Sequence, residues 1–139
     1  MAHIFTYGSL MFHQVWSLVV EGNYGSTEAT LKGYDRKGAR GEVFPVLFPS
    51  SLHSQVHGII YYDISASDLV RLDDFEGEYF FRTKEQVITE KMGLISAYVY
   101  VLKEEYYGII SHQEWNAEHF KTADLHLFII SHTNTDKLH

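Results

Sequence analysis

Residues 80 to 102 carry the pattern that most narrows the possible folds. "FFRTKEQVITE" and "GLISAYVYVL" alternate apolar and polar side chains on either side of a turn at Lys91 to Gly93. A repeat of two sends successive side chains to opposite faces of a strand, so the pair reads as an antiparallel hairpin with one face committed to a core. Further strands are available to extend it. His3 to Tyr7 reads as a buried strand and "QVHGIIYYDI" as a long one. Ala29 to Tyr34 reads as another, leaving the glycine-rich, charged stretch up to Gly41 as a mobile loop. Both prolines fall in "VFPVLFP", which suits an edge or irregular extended segment because proline has no N–H for a central ladder.

Helices are fewer. Phe12, Trp16, Val19 and Val20 fall at helical spacing before Gly22. Ser65 with Asp68 makes a helix start, Leu69 and Leu72 share a face, and Gly77 suits the left-handed residue past the end. A closing helix is read over about 113–130, with Trp115, Phe120, Leu125 and Phe128 as its apolar stripe. In the domain layout it is the C-terminal helix of 111–131, followed by a tail at 132–139. Strands dominate the middle, so the expected class is α+β: a mixed sheet curled into a small barrel with short helices beside it. At 139 residues, 45% hydrophobic and 15% aromatic, the chain fills one core, and no linker-like stretch divides it, so residues 1–139 are expected to form a single domain.

Charge and composition remove several function classes. Acidic residues outnumber basic ones 18 to 11, for a net charge of −7, which argues against a surface that tracks nucleic-acid phosphates. Cysteine is absent, so disulfides, thiolate nucleophiles and Cys-based metal sites are excluded. No run approaches the roughly 20 apolar residues of a membrane span, and the start, "MAHIFTYGSL", does not read as a leader. The expectation is a soluble, cytoplasmic protein with no membrane partner; oligomeric state is not legible. Nine histidines raise the question of a metal. His112, His119 and His126 are spaced seven apart, roughly 10 Å along a helix, too far for two of them to share one zinc ion. No metal site is expected.

Two stretches are suited to chemistry. In "FTYGSLMF" a glycine at a strand end, followed by serine and a helix start, lets the amides around Gly8, Ser9 and Leu10 converge on one concavity fit for a carboxylate or oxyanion. An ordinary strand-to-helix connection has the same composition. It is not a phosphate loop, lacking the spaced glycines and the lysine. "LDDFEGEYFFR" crowds Asp73, Asp74, Glu76 and Glu78 into the negative end of a helix dipole, a local cost that asks for a reason. With Glu76 turned inward between Phe75 and the Tyr79-Phe80-Phe81 run, desolvation and neighbouring carboxylates raise its pKa and make it a better proton acceptor near neutrality. The alternative is a solvated acidic helix end, to which Asp73, Asp74 and Glu78 are assigned. The hydroxyls of Tyr61, Tyr62, Tyr98 and Tyr100 are either cavity lining or wall.

Together the two stretches resemble the γ-glutamylcyclotransferase-like family, in its AIG2-like branch. Its members pair a strand leading into Tyr-Gly-Ser/Thr-Leu, here Tyr7-Gly8-Ser9-Leu10, with a Leu-Asp-x-Phe-Glu-Gly segment, here Leu72-Asp73-Asp74-Phe75-Glu76-Gly77. "FPVLFP", "VHGIIYYDIS", "AYVYV" and "EWNAEHF" extend the likeness from Ile4 to about Ile130. The resemblance implies a small β-barrel with a cavity between the opening turn and the glutamate. It also implies an enzyme that closes a γ-glutamyl amine or peptide on itself, giving 5-oxoproline and a free amine or amino acid, without cofactor or metal. By the same carry-over Tyr7, Gly8, Ser9 and Leu10 bind the substrate and Glu76 is the general acid/base; Arg82, which matches the pattern, is read as structural first, neutralising part of the acidic cluster, and with Tyr100 is a candidate for supporting Glu76 from behind. Many relatives carry Tyr-x-Arg after the glutamate, where this chain has Phe80-Phe81-Arg82, with Tyr79 one position early. That departure motivates an alternative, a binding module for a small carboxylate-bearing metabolite; an interaction domain using the hairpin face is a third. The amine side of the substrate is expected to be chosen by the loop from Lys32 to Glu42.

Overall fold

The computed structural model describes residues 2–137. Five strands close into a barrel in the order β1 (Ala2–Thr6), β5 (Gln55–Ile64), β2 (Ser26–Lys32), β6 (Phe80–Thr89) and β7 (Gly93–Leu102). Neighbours are antiparallel except where β1 meets β7 in parallel at Ile4 and Tyr98, the pairing that closes the ring and makes the barrel mixed. The expected α+β class and small mixed barrel are what the chain adopts. The hairpin read from residues 80 to 102 is in register along its whole length, from Phe80 opposite Leu102 to Thr89 opposite Gly93.

Alternation along the strands divides the core in two. Phe5, Leu31, Val56, Ile60, Val87, Val99 and Val101 fill the barrel. The outward set, including Ile4, Tyr61, Phe80, Tyr100 and Leu102, packs against Trp16, Leu72, Phe120 and Leu125 from the helices. The helices are α1 (His13–Val19), α2 (Ala66–Glu76), a single turn α3 (Ala117–His119) and α4 (Leu125–Lys137), the last two joined by a π-helical turn over Phe120–Asp124. Among the described residues, no helix is long and apolar enough to cross a membrane.

Three expectations need correction. The stretch after Tyr34 is not a mobile loop but β3 (Tyr34–Gly38), which pairs with β4 (Pro45–Pro49) in a separate two-stranded ribbon; the prolines thus sit on an edge, as their missing N–H requires. The closing helix starts at Ala117 rather than Gln113. Residues 110–113 are committed to β3 instead: the Gly38 amide donates to the Gln113 carbonyl, the Ser111 amide to the Gly38 carbonyl, and Ala39 bridges Ile110. At its far end α4 continues to Lys137, so the expected tail from 132 is helical, and residues 138 and 139 lie outside the described residues.

Candidate active site

The opening turn is built by contacts to its backbone. β1 ends at Thr6, and a short 3-10 turn over Ser9–Met11 redirects the chain toward α1. Gly8 passes so close to the ribbon that a Cβ would lie 2.8 Å from Cγ and 2.9 Å from Cδ of Pro45. Glycine is therefore required by close approach. Both flanks are pinned by side chains. The Arg36 Nη1 donates to the Tyr7 carbonyl at 2.8 Å, and the Tyr61 hydroxyl donates to the Leu10 carbonyl at 3.2 Å, its ring stacked 3.7 Å from Trp16. Among the described residues, the amides of Gly8, Ser9 and Leu10 donate to no protein acceptor. Arg36 also polarises the peptide it touches, because the Tyr7 carbonyl and the Gly8 N–H belong to one amide group. Sequence reading missed Arg36 by leaving it in a loop; only its pairing within β3 aims it here.

Opposite stands the end of α2. Ser65 caps this helix by accepting from the Asp68 amide at 3.1 Å, and Gly77 ends it with φ 77°, a backbone state that favours glycine. Asp73 and Glu76, three residues apart, share a face that looks toward β6 and β7. Arg82 and Tyr100 are direct cross-strand partners, so both reach Asp73. Arg82 donates through Nε at 2.9 Å and Nη2 at 3.3 Å, and the Tyr100 hydroxyl donates at 2.7 Å. Asp73 is thus more than the solvated helix-end acid assigned from sequence: its side chain stays 40% exposed, but Arg82 and Tyr100 anchor its carboxylate beside Glu76. Burial first, and then the Asp73 charge, push the Glu76 carboxyl up to about 8.

The two sides meet across one cavity of about 570 Å3, within the range of small-molecule sites. Tyr7, Gly8, Ser9, Leu10, Glu76 and Tyr100 all line it. Arg82 does not; it borders a polar hollow of about 250 Å3 that shares Glu76, Gly77, Phe80 and Tyr100 with the larger one. The Tyr7 hydroxyl donates to the Tyr100 carbonyl at 2.6 Å, and burial raises its pKa well above normal, so it stays a neutral donor. Of the four strand tyrosines considered from sequence, Tyr100 alone lines the cavity: Tyr61 stacks on Trp16, Tyr62 packs on His3, and Tyr98 lies under the Arg82 guanidinium at 4.5 Å. At the departure from the Tyr-x-Arg pattern, the Phe80 ring is buried in the wall beside Phe44, while Tyr79 lies edge-on to Tyr106. Within the loop expected to select the amine, only Glu42 reaches the cavity; the outer wall comes instead from residues 42–45, from Asp124 at the end of the π-helical turn, and from α4 through Leu127, Phe128 and His132. No group of three or more potential metal ligands occurs among the described residues.

Comparison with known proteins gives concordant results. A family model described as gamma-glutamyl cyclotransferase, AIG2-like, matches residues 4–117. The chain is 28% identical over 127 residues to AIG2-like protein D of Arabidopsis thaliana, covering 87% of this chain and 83% of that protein. It superposes on the crystal structure of an AIG2-like protein from Mus musculus with a TM-score of 0.62 at 25% identity, covering 84% of this chain and 88% of that one. A yeast gamma-glutamyl cyclotransferase specific to glutathione shares the fold, with a TM-score of 0.63 at 11% identity over 94% of this chain and 86% of that one.

Proposed function

Because the chain belongs to the gamma-glutamyl cyclotransferase, AIG2-like family, we propose that it cyclises a γ-glutamyl compound to 5-oxoproline with release of an amine. The observation that carries this reading is that the unpartnered amides of Gly8, Ser9 and Leu10 and the Glu76 carboxyl line the same cavity. Cyclisation within one molecule needs the α-amine held in line with its own γ-carbonyl, so a fixed cradle serves better than a protein nucleophile. The amides orient the glutamyl part and receive the oxygen that becomes negative in the tetrahedral intermediate. Glu76 accepts a proton from the α-ammonium. The freed amine then forms a C–N bond to the γ-carbon, the original amide C–N bond breaks, and the protons lost by the attacking nitrogen pass through Glu76 to the departing one. No water is consumed. With its carboxyl at about 8, Glu76 is matched to an α-amino group, whose ordinary pKa is also about 8, so the proton moves either way at little cost.

The test follows 5-oxoproline from a panel of γ-glutamyl amines, peptides and amino acids, with wild type beside Glu76→Gln. Loss of the base lowers the rate by roughly 10²-fold or more. Equal turnover by the variant, or no product from any compound, overturns the reading. The buried Phe80 ring, where many relatives place a hydroxyl, favours one second reading, a module that binds a small carboxylate without turning it over. Thermal stabilisation by glutamate or 5-oxoproline with no turnover on the panel would select it.

A further inference from the structure

The cavity that holds the opening turn and Glu76 also carries an apolar set on its lining: Val43, Phe44, Phe75, Leu127 and Phe128. Two of these leave apolar surface facing water, Leu127 at 67% exposed and Val43 at 40%, surface that an apolar ligand would cover. The charges on the same lining are all acidic: Glu42, Glu78 and Asp124 stand on it beside Glu76, and none of the described cavity residues is lysine or arginine. The nearby guanidinium of Arg82 is engaged by Asp73 and opens onto the other hollow. A carboxylate on the departing group would sit among carboxylates with no lysine or arginine to meet it, the basic side chain on the lining being the His132 imidazole, whose Nδ1 lies against the Phe128 carbonyl, and this is unfavourable in a site partly closed to water.

Resting on the cyclotransferase reading above, we propose that the amine released carries an apolar ring or chain and no carboxylate, and that the C-terminal helix recognises it. Leu127 and Phe128 belong to α4, beyond the residues 4–117 that the family model matches. Phe128 is held rigid by ring contacts to Phe75 at 6.4 Å, Phe120 at 5.6 Å and His132 at 4.2 Å. It offers a fixed edge for a second ring to pack on.

Four substrates separate the possibilities: γ-glutamyl-phenethylamide, γ-glutamyl-phenylalanine, γ-glutamyl-5-aminopentylamide and γ-glutamyl-ethylamide. The first two differ by a single carboxylate. The phenethylamide is expected to exceed γ-glutamyl-phenylalanine in kcat/KM by about tenfold or more, and Glu42→Lys to narrow that ratio by about threefold. Equal or greater turnover of γ-glutamyl-phenylalanine, greater turnover of the cationic aminopentylamide, or a ratio unmoved by Glu42→Lys overturns the proposal. Leu127→Asp, at an exposed position, is expected to lower turnover of the phenethylamide more than that of the ethylamide; an equal loss on both overturns the assignment to α4. If none of the four yields 5-oxoproline while another compound of the wider panel does, this proposal falls and the cyclotransferase reading stands; if no compound on the panel does, it is the cyclotransferase reading itself that fails.

Discussion

Two carboxyl groups three residues apart on α2 receive opposite treatment from their surroundings. Asp73 accepts three hydrogen bonds, two from Arg82 and one from Tyr100. Glu76, partly buried against the cavity wall, faces the Asp73 charge, so its proton is held up to about 8. The proposed base must be ionised and the substrate's α-amine still protonated, so kcat/KM should rise with pH to a maximum near 8 and fall beyond it as the α-ammonium is lost. Asp73→Asn removes the neighbouring negative charge and leaves Arg82 unneutralised, and both changes favour ionised Glu76. The rise should move to lower pH by about half a unit to one unit. A pH–rate profile of the variant checks this, and a midpoint identical to wild type would mean that Asp73 does not set the basicity of Glu76. Glu76 was legible in the sequence because four acids at the negative end of a helix are costly enough to need a reason. Asp73 was not, since nothing local says which acid meets Arg82 and Tyr100. That is decided by the β6–β7 register and the packing of α2 across it.

At the level of elements, α2 is positioned by its own first turn. Asp68 is buried and accepts from the Tyr24 hydroxyl at 2.5 Å, the Glu21 and Gly22 amides at 3.0 Å each, and Arg71 at 2.9 Å, tying the helix to the segment after α1. Burial alone would raise its pKa, but these donors more than offset it and hold the carboxyl at about 2. Asp68→Ala strands two backbone donors and a phenol, and should cost about 3 kcal/mol in a urea titration at neutral pH. Because the native pKa is depressed from 3.8, the contribution is complete above about pH 4 and fades as pH falls through about 2. A loss below about 1 kcal/mol, or one that persists undiminished at pH 2, would show that the tie carries little. The start of α2 was readable because a cap is a local device: Ser65 and Asp68 are three residues apart. The start of the closing helix was not. Residues 110–113 have their backbone groups engaged by β3, a partner some seventy residues earlier in the chain, and the charged composition of β3 itself reads as a loop until β4 is laid beside it.

Across the whole molecule, the barrel closes through a parallel contact between Ile4 and Tyr98, and the cavity forms where the helices cover its outer side near that seam. Such a closure is dictated by side-chain alternation on five separated strands, which the sequence displays, and by their order, which it does not. The site is paid for in stability, since the same burial that makes Glu76 basic opposes its ionisation. Its native pKa is raised from 4.5 to about 8, so between those values the native state holds a proton that the unfolded chain releases. Stability then falls as pH rises through that window. Glu76→Gln keeps the shape and removes the charge. It should match wild type near pH 4.5 and exceed it at pH 8, by on the order of 2 kcal/mol because water in the cavity keeps part of the charge solvated. Urea titrations of both proteins at pH 5, 6.5 and 8 would show curves that diverge with pH. Parallel curves would mean that Glu76 ionises as readily in the fold as outside it, leaving no raised pKa for the proposed proton transfer to use. A variant that is slower and more stable ties the two effects to one buried carboxyl.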